Sequence, residues 1–215
     1  MTDIRSQIDA TTREVGSTEG SAGDAHRVVL RRHYQASVAD VWDACTSPER
    51  IARWFLPVTG DLRPGGNYQL DGNAGGTIVR CEPPHLLRLT WVFGDIPPSE
   101  VELRLSASGD DTMLELEHTG LADDAQWAQF GPGAVGTGWD LALLGLGLHL
   151  SGEERPADPE AWLKSPEGTE YVVRSCAAWG AAFEAAGATA AEAESATRQV
   201  TACYAPHTDP ALPER

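Results

Sequence analysis

Between Asn67 and Thr119 the apolar positions recur with period two. Tyr68 and Leu70 alternate with Asn67 and Gln69, and Leu87, Leu89, Trp91 and Phe93 with Leu86, Arg88, Thr90 and Val92. Val101, Leu103 and Leu105 alternate with Glu102, Arg104 and Ser106; Leu114, Leu116 and His118 alternate with Met113, Glu115, Glu117 and Thr119. Such alternation predicts antiparallel strands with one buried and one wet face. Pro64-Gly65-Gly66, Asp71-Gly72-Asn73, Pro83-Pro84, Asp95 to Pro98 and Gly109-Asp110-Asp111 punctuate the runs as hairpin turns would. A further β-type run over Arg27–Tyr34 opens the sheet, which makes seven strands.

Elsewhere the period is helical. Ser37 caps a helix carrying Val38, Val41, Trp42 and Cys45, with Asp40 placed as in a capping box. Ser47-Pro48 opens a second short helix with Ile51, Trp54 and Phe55 at core spacing. After a loop over 120–136, with a helical turn around Asp124–Phe130, Thr137 to Leu150 form a helix apolar on most of its circumference. Such a helix belongs against the sheet. Gly145 and Gly147 each cost it roughly 1 kcal/mol relative to Ala, so either a close backbone neighbour or space for a cavity must explain them.

Past a polar hinge from Ser151 to Pro159, Ser165-Pro166 begins a helix with Val172, Cys176, Trp179 and Phe183 in one stripe. Thr189 and Glu192 form a capping box opening another, with Ala193, Ala196, Val200 and Cys203 on one face. The pair reads as an αα-hairpin whose stripe is covered by the main domain or by a second copy of the chain, as a homodimer. The organisation expected is a disordered leader over 1–25, a main domain over 26–152, a helical extension over 153–205 and a disordered tail over 206–215.

Charge narrows the function. Thirty-two acidic residues against 16 Lys and Arg give a net charge of −16, which argues against nucleic acid and against an anionic membrane surface. No apolar run approaches a membrane span, and the N-terminus lacks the apolar core of a secretory signal, so a cytoplasmic location is expected. The four cysteines, Cys45, Cys81, Cys176 and Cys203, form no close pair and read as free thiols. The six histidines show no metal-ligand spacing, no G-x-S-x-G elbow is present, and Arg63-Pro64-Gly65-Gly66 lacks the spacing of a phosphate loop. No metal or other cofactor is expected.

The order of motifs resembles the START-like (SRPBCC) superfamily of helix-grip domains, and within it the branch named after the activator of the heat-shock chaperone ATPase. The matching residues span Val28 to about Ser151. They are Val41-Trp42, Ser47-Pro48-Glu49 with Trp54-Phe55, Asp61 to Gly66, Glu82 to Leu87 with Thr90-Trp91, Glu117 to Leu121 and Gly138-Trp139. The resemblance implies an α+β helix-grip fold: a seven-stranded antiparallel sheet wrapped around a long C-terminal helix, two short helices after the first strand, and a deep cavity between sheet and long helix. The C-terminal helical hairpin lies beyond the common domain.

Within that fold the candidate ligand-binding residues are Trp42, Trp54, Tyr68, Trp91, His118 and Trp139. The tryptophans offer flat faces, Tyr68 a hydroxyl that needs a partner if buried, and His118 an inward-facing polar group; each is equally at home as a core residue. Asp140 stands in the first turn of the long helix, where the helix N-terminus favours a carboxylate. The expected function is binding of a small apolar or aromatic ligand. The alternatives are a cyclase or dehydratase using His118 and Tyr68 as acid and base, and a protein-interaction module working through the acidic surface and the hairpin.

Overall fold

A computed structural model describes residues 4–20, 23–121 and 124–206. The strands are β1 (Thr11–Gly20), β2 (Gly23–Tyr34), β3 (Val58–Gly60), β4 (Asn67–Leu70), β5 (Gly75–Glu82), β6 (Leu86–Trp91), β7 (Ser99–Ser108) and β8 (Asp111–Leu121). They form one antiparallel sheet in the order β1-β2-β8-β7-β6-β5-β4-β3. The helices among the described residues are α1 (Ile4–Asp9), α2 (Val38–Thr46), α3 (Pro48–Trp54), α4 (Asp124–Phe130), α5 (Gly133–Leu150), α6 (Pro159–Lys164), α7 (Pro166–Ala185) and α8 (Ala190–Tyr204).

The alternating runs become strands with the expected faces. Val28 and Leu30 on β2, Val101, Leu103 and Leu105 on β7, and Leu114 and Leu116 on β8 form one core with Val41 and Ala44 of α2 and Leu143 and Leu146 of α5. On the opposite face Arg31 and Arg104 both reach Glu115 across the sheet, while Val29 of β2 is buried there too. The sheet has eight strands, however, where seven are expected. The eighth is β1, inside the supposed leader, paired with β2 in continuous register from Thr11↔Arg32 to Gly20↔Gly23. Its polarity is misleading because its charges are used: Arg13 is buried against Asp140, and Glu14 bridges Arg27 and Arg31. The supposed tail, beyond 206, lies outside the described residues.

Helix α5 starts at Gly133, a turn before the expected Thr137, and its glycines are contact points. A Cβ at Gly145 would stand 2.6 Å from the Trp54 carbonyl oxygen, and one at Gly147 would stand 2.9 Å from the Arg32 guanidinium. Close packing, and not extra cavity space, explains both. At Gly136 a Cβ would lie 2.1 Å from the Trp179 ring. The missing side chain lets α7 sit directly on α5.

That seat covers most of the hairpin's apolar stripe within the chain, although Cys203 at its end is exposed. Val172, Cys176 and Trp179 are fully buried, with Val200 of α8 beside Gly133. The capping box of α8 forms as expected. The polar hinge leads into the unexpected α6, with Asp158 accepting from Ala161 N and Pro159 in the first turn. That is the same cap-and-proline signal that opens α3 and α7, compressed into six residues. All four cysteines are free thiols.

Asp140 is fully buried at the junction of α5, α7 and β1. Arg13 Nε and Nη2 each donate to one of its oxygens at 3.0 Å, Ser175 Oγ donates at 2.5 Å and Trp179 Nε1 at 3.0 Å. Burial pushes the carboxyl up, while Arg13, Ser175 and Trp179 oppose the rise. Its role is structural: one carboxylate ties the edge strand and the hairpin to the central helix.

A candidate ligand site in two chambers

Between the inner sheet face, α3 and α5 lies an apolar chamber of about 180 Å³. Ile51, Trp54 and Phe55 enter it from α3 and the residue after it, Leu87, Leu89 and Trp91 from β6, and Trp139, Ala142 and Leu146 from α5. Tyr68 and Cys45 also line it. The Tyr68 hydroxyl donates to Thr90 O at 2.9 Å, and burial pushes its pKa up, so it stays a neutral phenol. Burial likewise pushes the Cys45 thiol up to about 12, which keeps it from acting as a thiolate. Lined almost throughout by carbon, this chamber can bury apolar matter and offers little polar chemistry.

A second chamber of about 340 Å³ adjoins it. Asn73, Phe93, Ile96 and Pro97 line it from loops at the sheet's end, Ser99 and His118 from β7 and β8, Trp127 from α4, Val135 and Gly138 from α5, and Tyr204 from α8. Phe55, Trp91 and Trp139 line both chambers. The Trp91 and Trp139 rings lie 5.0 Å apart, tilted by 56°, and Phe55 stands 6.4 Å from Trp139. One layer of aromatic rings is common to the two spaces.

His118 holds that layer in place. Trp139 Nε1 donates to His118 Nδ1 at 3.1 Å, so Nδ1 is the acceptor and Nε2 carries the proton. Nε2 donates to Ser99 Oγ at 2.8 Å, and Ser99 Oγ donates onward to Trp91 O at 3.2 Å. Burial pulls the imidazole pKa down to about 4, so the ring is neutral near pH 7. Taking up a proton at Nδ1 would break the bond to Trp139. These contacts suit a residue that fixes two tryptophans better than one that carries protons.

The structure thus gathers Trp54, Tyr68, Trp91, His118 and Trp139 around two adjoining chambers and leaves Trp42 out. Trp42 packs half-buried against the main core and lines neither chamber, because its place on α2 turns it away from the α3–α5 gap. The sequence reading missed Phe55, Asn73, Trp127 and Tyr204. Phe55 passed as an ordinary core position, and the other three sit in a turn, in a loop-like stretch and at the end of the extension, where only tertiary packing gives them a common space. Arg63 lines the rim of the inner chamber but is exposed and paired with Asp61 at 2.8 Å. Among the described residues no cluster of His, Cys, Asp or Glu could hold a metal, and no helix is long and apolar enough to cross a membrane.

An antiparallel sheet closed over a long helix, with an apolar space between, defines a START-like domain. The family model described as "Activator of Hsp90 ATPase homolog 1-like protein" matches residues 35–150, and the chain belongs to that family. Among solved structures it is similar to CalU16 from Micromonospora echinospora. It is 42% identical to the crystal structure, with 81% of this chain and 99% of that chain covered and a TM-score of 0.67. The solution structure of CalU16 gives 42% identity, 83% and 97% coverage and a TM-score of 0.70. MLL2253 from Mesorhizobium loti shares the fold at 24% identity, covering 60% of this chain and 99% of that one, with a TM-score of 0.51. No curated protein gives a significant sequence match.

Proposed function

We propose that the chain is a START-like binding protein that takes a small, largely apolar ligand into the chamber between sheet and α5. One observation carries this reading: the chamber of about 180 Å³ is bounded by carbon from the sheet, α3 and α5, and its one buried phenol is already bonded to Thr90 O. Burying apolar surface there contributes roughly 25 cal/mol per Å², with little polar desolvation to offset it. A void of about 150 Å³ lined by aliphatic and aromatic groups is large enough for a benzene-sized guest. The neutral, doubly bonded His118 favours binding over acid–base turnover.

Native mass spectrometry of the purified protein beside a denatured sample tests the reading. A discrete excess mass that disappears on denaturation is expected. A chain mass alone, together with no thermal shift from small uncharged aromatic compounds, would overturn it.

A further inference from the structure

The inner chamber alone is benzene-sized, whereas small-molecule sites commonly run to roughly 300–1,000 Å³. The outer chamber, at about 340 Å³, reaches that range and shares the wall of Phe55, Trp91 and Trp139. We infer that the two chambers form one composite site for an uncharged amphiphile. An aliphatic arm fills the inner chamber, and a flat aromatic head bearing a hydrogen-bond acceptor lies in the outer one. This rests on the binding reading above and adds the ligand's class.

Three observations give the head its chemistry. Among the described residues no Asp, Glu, Lys or Arg lines the outer chamber, so a charged head would find no ion-pair partner on them. Aromatic faces surround it, and two of them are fixed in advance. Trp139 is held by His118, and Trp127 stacks one face on His26 at 4.0 Å and meets Phe183 in a T-shaped contact at 5.9 Å. Rings fixed before binding lose little freedom when a planar guest stacks on them. Finally, Asn73 Oδ1 accepts from Ala74 N, and its NH2 makes no hydrogen bond to the described residues, which leaves a donor for a carbonyl or ether oxygen.

The C-terminal extension acquires a role in this site. Tyr204 of α8 closes one wall, its hydroxyl donating to Ala134 O at 2.9 Å and lying over Gly138, which has no side chain to obstruct it. Phe183 of α7 backs Trp127. The family match ends at residue 150, so these two contacts come from outside the shared domain.

The chain's seven tryptophans can report on each space. Trp54 lines only the inner chamber, Trp127 only the outer, Trp91 and Trp139 both, and Trp42, Trp162 and Trp179 neither. The probes are 6-acyl-2-dimethylaminonaphthalenes, flat ketones whose acyl arm can be lengthened from acetyl to octanoyl. Indole N–H resonances of the full chain are followed by NMR during titration, after assignment by single Trp→Phe variants. The acetyl homologue should shift Trp127, Trp91 and Trp139, and the octanoyl homologue Trp54 as well. Affinity should rise roughly fourfold for each methylene that enters the inner chamber. Val135→Phe should weaken every homologue at least tenfold, while Ala142→Phe should remove the gain with arm length and spare the acetyl compound. A naphthalenesulfonate of equal size should not bind.

Shifts at Trp54 without any at Trp127 would overturn the composite site and leave the inner-chamber reading standing. Equal affinity for the sulfonate would overturn the uncharged head. The absence of shifts with every homologue would remove both readings.

Discussion

His118 illustrates how one buried side chain can decide the pH range of a fold. In the unfolded chain it titrates near 6.5, while burial in the native state pulls its pKa down to about 4. Between those values the unfolded chain binds a proton that the folded chain refuses. Its stabilising contribution is therefore complete above pH 6.5 and is lost as pH falls toward 4. At about 1.4 kcal/mol per unit, the loss approaches roughly 3 kcal/mol. Urea midpoints measured across that range should fall in the wild type. In His118→Gln they should fall less, because the amide can accept from Trp139 and donate to Ser99 without titrating. Parallel profiles would show that other groups carry the acid sensitivity.

At the scale of elements, the question is what holds the edge strand β1. Its backbone ladder to β2 leaves the other edge open, and its side-chain anchor is Arg13, which is buried on Asp140 127 residues away. Breaking a buried ion pair by removing one partner typically costs about 3–5 kcal/mol, because the survivor is left in a low dielectric. Arg13→Met should lower stability by that order in chemical denaturation, and adding Asp140→Leu should restore much of it. A single-variant cost below about 1 kcal/mol would mean that β1 is held by its ladder alone. This anchor also marks where the sequence stopped being legible. Strands such as β7 and β8 announce themselves because alternation is local: each residue's face follows from its neighbour's. Arg13 and Asp140 are each unremarkable locally, one in a polar stretch and one in a helix's first turns. Their partnership exists only once α5 lies across the sheet. The same limit applies to the candidate site. Tyr68, Trp91 and His118 were readable as inward positions on strands, and Trp54 and Trp139 as helix positions in a grip. Trp42 lines neither chamber, and core spacing does not say which side of the core a residue faces. Trp127 and Tyr204 meet only through the docking of the extension.

For the whole molecule, the packing crosses the bounds of the family match. The family match covers 35–150, yet the helix at its centre is finished by residues on both sides. Gly136, Thr137 and Asp140 of α5 lie against Trp179, Cys176 and Ser175 of α7, and Gly133 lies against Val200 of α8. Arg13 of β1 closes the same cluster from the opposite terminus. If the extension were a separate interaction module, removing residues 153–215 would leave a folded monomer lacking only a partner. The packing requires otherwise. The truncation would uncover an almost wholly apolar helix, strip Asp140 of two of its donors and open the outer chamber at Tyr204. Exposed apolar surface on that scale drives association or loss of fixed packing. The truncated chain should aggregate or show far-UV helicity without near-UV tryptophan signals, and should bind no naphthyl ketone. A monomer with sharp near-UV bands and a cooperative melt would instead make the extension an independent unit and would return the acidic hairpin to the role of a partner-binding surface.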